Sequence, residues 1–199
     1  MRVRISLASL LSVLCLTPGA ALAHTAVGST SGFTHGFLHP LSGLDHQLAM
    51  ILVGVFAYRL GGRALWLVPL TFVAVMAFGG VLGVMGVQIP FVETGIALSV
   101  IVLGAIVAFG VKAPVAMAIG VVGLFAIFHG HAHGSEMPLD ASGIEYGAGF
   151  MMATALLHAV GLGTGFLIGV SSKTLGDNVY RVAGGLASVA GVALLYGAL

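Results

Sequence analysis

Long apolar stretches, separated by short polar segments, constrain the fold of this chain more than any other feature. A helix needs roughly 20 predominantly apolar residues to cross the hydrocarbon core of a bilayer. Charged residues make up only 7% of the sequence, against about 25% in soluble domains. We therefore predict an all-α membrane protein whose helices end at glycine pairs, prolines and polar segments. The six predicted transmembrane helices cover residues 43–60, 64–87, 90–110, 113–129, 144–170 and 179–198.

The N-terminal segment, residues 1–23, has the pattern of a cleaved signal peptide. MRVR is its positively charged start, ISLASLLSVLCL its apolar core, and ALA its small-residue cleavage site. Cleavage before His24 would leave residues 24–199 as one six-helix transmembrane domain, whereas an uncleaved segment would add a helix. Cleavage would also remove Cys15, the only cysteine. Metal ligands of the mature chain would then be His, carboxylate, Met or backbone atoms.

The basic residues predict the orientation of the helices. Cytoplasmic loops carry an excess of Lys and Arg, and every Lys and Arg after residue 23 falls in or beside the first, third and fifth loops between predicted helices. A cleaved signal peptide likewise places the new N-terminus outside, so we predict that both termini of the domain lie outside. The basic residues are Arg59, Arg63, Lys112, Lys173 and Arg181, and the acids of the opposite loops are Glu93, Glu136, Asp140 and Glu145.

The stretch HPLSGLDH begins the first predicted helix with three candidate metal ligands, His39, Asp45 and His46. Ser42 and Asp45 have the spacing of a capping box, so Asp45 could instead serve only as a helix cap. Capping does not explain the two flanking histidines. Because Pro40 should bend the chain, we expect His39 to fold back toward Asp45 and His46. Asp45 would then bind a cation directly or accept an imidazole N–H.

The stretch FHGHAHGSEMP allows two geometries. If the fourth predicted helix continues through it, His129, His133 and Glu136 share one helix face. If its glycines open the chain, His129, His131 and His133 alternate onto one side. Either arrangement gathers nitrogen and oxygen ligands. The alternative is a solvated loop, because a histidine-rich tract is only a compositional indication of metal binding.

A single histidine, His158, lies near the middle of the fifth predicted helix, one turn after Thr154. At that depth it either binds a metal ion or forms a hydrogen bond to a neighbouring helix, and both interpretations stay open. The small-residue stripe Gly161, Gly165 and Gly169 predicts close packing of this helix. We interpret the methionines as packing residues rather than ligands.

Three motifs together, HPLSGLDH, FHGHAHGSE and TALLHAVGLGTG, resemble the HupE/UreJ family of nickel/cobalt permeases. The resemblance covers essentially the whole chain. It implies secondary uptake of Ni²⁺ or Co²⁺ across the bacterial inner membrane, with the metal as transported substrate and no cofactor. The first motif is also similar to the H-x4-D-H signature of other nickel/cobalt transporters, but has five residues before the Asp. The positions carried over as metal ligands are His39, Asp45, His46, His129, His133, Glu136 and His158.

Other functional classes are excluded or weakened by the sequence. There is no G-x-x-x-x-G-K-[ST] loop for ATP hydrolysis, and a net charge of +1 without a basic patch gives no sign of a nucleic-acid partner. The alternative is a zinc-dependent intramembrane hydrolase, which needs a closed three-ligand site and a lateral opening to lipid. A permease needs weaker sites along one path. The residues that such a hydrolase could recruit are Ser42, Asp45, His46, His129 and His133.

The predicted mature N-terminus is a further candidate ligand. Cleavage before His24 would create a free α-amine that can chelate one ion together with the His24 imidazole. The segment that follows could then carry the ion toward His39. The alternative is that His24 is an incidental terminus.

Overall fold

The computed structural model describes residues 32–138, 142–170 and 173–198, and every regular element within them is an α-helix. The predicted all-helical fold is therefore confirmed for this part of the chain. The predicted signal peptide and His24 lie outside the described residues. The helices are α1 Gly32–Ser42, α2 Leu44–Leu60, α3 Ala64–Val84, α4 Val92–Phe109, α5 Val115–Ser135, α6 Gly143–Gly169 and α7 Lys173–Ala198.

The multi-pass membrane architecture is confirmed with a variation in its first span. By length and composition, α3 to α7 can each cross a membrane. Helices α1 and α2 can together supply a sixth span, although they are bent by 83° relative to each other. Alone, α2 has 17 residues, which is about 26 Å at roughly 1.5 Å per residue. It is therefore slightly shorter than the roughly 30 Å hydrocarbon core.

Two helix boundaries differ from the prediction by six residues each, and one helix was not predicted. Helix α5 continues to Ser135 because its histidine-containing turns are buried by neighbouring helices. Helix α7 begins at Lys173, since polar residues can form the first turn of a helix outside the apolar core. Helix α1 was not predicted at all. It contains Gly36 and Pro40, which disfavour an isolated helix, and it packs along α6.

Glycines set the closest contact in the structure, between α3 and α5. Gly79 and Gly83 face α5, while Gly130 and Gly134 face α3, so that a Cβ at Gly130 would overlap the carbonyl of Met76. Small residues allow membrane helices to approach this closely. The crossing fixes the height of the α5 histidines relative to α3.

Other close crossings follow the same rule, among them the contact of α1 with α6 at Gly36 and Gly149. Gly54 of α2 and Gly161 of α6 face each other, as do Gly104 of α4 and Gly184 of α7. The predicted packing role of the α6 stripe is therefore confirmed. These crossings leave the polar side chains of α1, α2, α4, α5 and α6 directed toward one another.

Candidate metal site

Three predicted ligands from distant parts of the chain meet at one end of the helices. His39 Nε2 lies 2.9 Å from a Glu136 carboxylate oxygen, and the His39 and His133 ring centroids are 4.8 Å apart. Ligand atoms of all three residues lie within 4.8 Å of one another. The hydrogen bond with His39 lowers the pKa of Glu136 below its ordinary value, so this residue is a carboxylate. Two imidazoles and a carboxylate are a suitable donor set for a divalent transition metal.

Helix α5 remains regular through the histidine-rich stretch, which selects the first of the two predicted geometries. His129 and His133 lie one turn apart on one face, and both are buried. His131 points elsewhere, with its Nε2 2.6 Å from the Val87 carbonyl oxygen. The interpretation as a solvated loop is therefore wrong.

His46 continues the cluster toward the interior. Its ring centroid lies 4.4 Å from that of His133 and 4.9 Å from that of His129. Its Nδ1 donates to Asp45 Oδ1 at 2.9 Å, since an ionised carboxylate can only accept. In the neutral imidazole the lone pair is then on the other nitrogen, Nε2, which is buried without a hydrogen-bond partner within the protein. Carboxylates orient metal-binding histidines in this way.

The predicted capping box and the predicted bend at Pro40 are both wrong. Gly43 is the N-cap of α2 and no side chain caps it, while Ser42 Oγ donates to the His39 carbonyl at 2.6 Å. Pro40 lies inside α1, and the break falls at Gly43. This bend lays α1 against α6, so His39 meets Glu136 and His133 rather than Asp45.

His129 is held by a residue that sequence reasoning missed. Ser99 Oγ donates to the Ile96 carbonyl at 2.6 Å and therefore accepts from His129 Nε2 at 3.0 Å. His129 Nδ1 keeps its lone pair and has no partner. The only sequence signal was a hydroxyl within an otherwise apolar stretch of α4, which is too common to single out one position.

His158 is the deepest of the predicted ligands. The Phe72 ring contacts both His158 and His129, with centroid distances of 5.1 Å and 5.5 Å respectively. His158 is 1% exposed, and neither ring nitrogen has a hydrogen-bond partner. The interpretation of His158 as a histidine hydrogen-bonded to a neighbouring helix is therefore wrong for this structure.

These side chains form a continuous series from the surface to the interior, which we call the histidine file. Its first member has a side chain that is 54% exposed, and its last members are fully buried. Several buried imidazole nitrogens of this series have no hydrogen-bond partner within the protein, and because an unsatisfied buried polar group costs about 1–3 kcal/mol, these nitrogens are suited to bind a ligand. In order, the file consists of Glu136, His39, His133, His46 with Asp45, His129 and His158.

A cavity of about 530 Å³ adjoins the file between α2, α4 and α7. Asp45 and Glu93 supply its acidic lining, and alanines, leucines and Gly197 supply the remainder. Glu93 was assigned to a loop by the sequence but lies in the first turn of α4. Asp45 therefore belongs both to the file and to the lining of this cavity.

Comparison with known proteins gives matches over most of the chain. The model of the HupE / UreJ protein family matches residues 12–194. Protein HupE of Rhizobium leguminosarum bv. viciae is 51% identical over 178 residues, which cover 89% of this chain and 92% of that protein. No solved structure matches the chain significantly. The family match and the similarity to this relative together show that the chain belongs to the HupE/UreJ family.

Proposed function

We propose that the chain is a secondary permease for uptake of Ni²⁺ and/or Co²⁺ across the bacterial inner membrane. The observation that carries this proposal is the histidine file, because a permeation path needs ligands spaced from the surface into the membrane rather than one closed site. Adjacent rings from His39 to His129 are 4.4–4.9 Å apart. An ion can therefore form bonds to the next ligand while it still holds the previous one.

The file faces the periplasm in this proposal, since the basic residues lie at the opposite ends of the helices. A hydrated ion exchanges water for nitrogen and oxygen ligands at Glu136, His39 and His133. The Asp45 charge offsets part of the dehydration cost farther in. Each site binds only moderately tightly, because an ion must also leave it.

The membrane potential supplies sufficient driving force. A divalent cation that moves inward gains roughly 4–5 kcal/mol per 100 mV, from about 2.3 kcal/mol per charge. This gain corresponds to accumulation by about three orders of magnitude. ATP hydrolysis is therefore unnecessary, and a proton gradient is an optional further source.

Uptake of radioactive Ni²⁺ and Co²⁺ into proteoliposomes tests the proposal. An inside-negative potential should increase uptake of at least one ion well above that of protein-free liposomes. His158→Ala should reduce this flux at least tenfold while metal binding to the purified protein falls much less, because the ligands nearer the surface remain. Absence of flux in the wild-type protein would overturn the proposal. Equal losses of flux and binding in His158→Ala would assign His158 to the entry site.

A zinc-dependent hydrolase remains a second candidate because of one observation. An apolar cavity of about 450 Å³ between α3, α5 and α6 reaches His133, which is a member of the three-donor cluster at the surface. A lipid chain could approach a bound metal ion through it. Zinc-dependent cleavage of lipid esters or amides without ion flux would favour the hydrolase. Flux without such cleavage would favour the permease.

A further inference from the structure

The histidine file contains no further nitrogen ligand between its last two members, His129 and His158. The Phe72 ring contacts both of these imidazoles. One helical turn from Phe72, Met76 packs against Thr154, which is itself one turn from His158. All four side chains of this α3–α6 contact are at most 1% exposed: Phe72, Met76, Thr154 and His158.

The hydrogen bond of Thr154 differs from that of another threonine in the same helix. Thr164, ten residues later in the same helix, donates to the carbonyl oxygen of Val160, four residues earlier, at 2.8 Å. That is the ordinary arrangement. Thr154 Oγ1 instead donates to the Met76 sulfur at 3.7 Å, although a thioether is a weak acceptor. This contact directs the sulfur toward α6, the helix that holds His158.

We infer that Met76 and His158 form a deep sulfur–nitrogen station that selects for transition metals over hard cations. A thioether suits borderline and soft ions, whereas Mg²⁺ and Ca²⁺ prefer oxygen ligands and Mg²⁺ dehydrates reluctantly. When an ion binds the Met76 sulfur, the Thr154 hydroxyl rotates and donates to the carbonyl oxygen of Phe150. Thr164 makes the equivalent bond to the Val160 carbonyl. The effect on transport selectivity rests on the proposed permease function, whereas the assignment of Met76 and His158 as metal ligands does not.

Selectivity of transport tests the station. Met76→Leu keeps the volume and removes the sulfur, whereas Met151→Leu makes the same change at a partly buried position of α6 that lines the apolar cavity. In proteoliposomes, Met76→Leu should weaken the preference for Ni²⁺ over Mg²⁺ and Mn²⁺ about tenfold, and Met151→Leu should leave it unchanged. Unchanged selectivity in Met76→Leu would return Met76 to a packing role.

X-ray absorption of Ni²⁺ bound to the purified protein tests the ligand independently of transport. In a Cys15→Ser background, a sulfur scatterer should be present in the wild-type protein and in Met151→Leu, and absent in Met76→Leu. The other members of the file provide only nitrogen and oxygen, so they cannot supply this signal. A wild-type spectrum without sulfur would overturn the inference even if transport is normal. A sulfur signal without transport would support the station while the permease proposal fails.

Thr154→Val provides a second variant that keeps side-chain shape. Loss of the hydroxyl should release the Met76 sulfur and reduce selectivity by a few-fold, whereas Thr164→Val should have no effect. Equal behaviour of the two variants would contradict a role for Thr154 in orienting Met76.

Discussion

At the residue scale, two side chains that need not touch the metal ion decide which imidazole nitrogen is available to it. Asp45 accepts a hydrogen bond from Nδ1–H of His46, and Ser99 accepts one from Nε2–H of His129. Each bond leaves the opposite nitrogen as the free ligand. Such partners are as important as ligands, since their loss typically costs 10- to 100-fold in metal affinity or activity.

Asp45→Asn should reduce transport at limiting metal by at least about tenfold. The amide oxygen can still accept from His46 Nδ1, so the main change is the loss of a negative charge beside the file. Stability should change by less than about 1 kcal/mol, the usual effect of one charge in the first turn of a helix. The assay is Ni²⁺ uptake normalised to protein in the membrane.

The matched control is Asp177→Asn, at a half-exposed acid of α7 that lies 3.9 Å from Arg59. Its uptake should equal that of the wild-type protein. If Asp45→Asn also transports normally, the charge of Asp45 has no part in cation transfer.

Ser99→Ala should lower metal affinity about tenfold because His129 loses the acceptor that fixes its proton on Nε2. Ser188→Ala is the control, since Ser188 Oγ donates to a backbone carbonyl of α4 at 2.8 Å and contacts no histidine. Calorimetric titration with Ni²⁺ measures both variants. Equal affinities for the two would show that Ser99 is not needed to orient His129.

At the element scale, close helix crossings hold the file in register. The α3–α5 crossing determines where His129 and His133 stand relative to Phe72, and the bend between α1 and α2 determines where His39 stands. A change of one residue in either register would place imidazoles on another helix face. The glycines at these crossings are therefore constraints on function as well as on packing.

Gly134→Ala should destabilise the protein by about 1–3 kcal/mol because the new methyl group would overlap the backbone of Gly80. The midpoint of thermal unfolding in detergent should fall by roughly 3–10 °C. Gly120→Ala is the control on the same helix, where a Cβ meets nothing within 4 Å. That change should be neutral or slightly stabilising, because alanine favours a helix. A stable Gly134→Ala protein would show that α3 and α5 can separate without cost.

At the scale of the whole molecule, the charged groups divide between the two ends of the helices. Glu136 and Glu93 lie at the end where the file opens, while Arg59 lies at the other end. There, Arg59 donates to the Val107 carbonyl at 2.7 Å and stacks over the Tyr180 ring at 4.3 Å. This arrangement ties α2, α4 and α7 together at the end that the positive-inside rule assigns to the cytoplasm.

Cysteine accessibility tests the predicted orientation, in a Cys15→Ser background. Gln88→Cys, in the segment between α3 and α4, should react with a membrane-impermeant thiol reagent in intact cells with a permeabilised outer membrane. Val111→Cys, in the segment between α4 and α5, should react only after the inner membrane is opened. Both positions are exposed. The reverse pattern would place the file on the cytoplasmic side.

The sequence by itself determined the membrane-helical class, most helix positions and the chemical identity of the file. Apolar length decides whether a segment can cross a bilayer, and this property is local. The small-residue stripe of α6 was likewise readable because close packing requires the absence of a side chain. His39, His46, His129 and His133 were recognisable as candidate ligands from residue type and motif alone.

Only the tertiary structure decided how these residues meet. The pairing of His39 with Glu136 spans 97 positions of the chain, and the contact of Ser99 with His129 joins two separate helices. Helix α1 and its 83° bend depend on packing against α6 rather than on local propensity. Local sequence sets which segments are helices, but the register between helices is set by the complementarity of surfaces that are far apart in the chain.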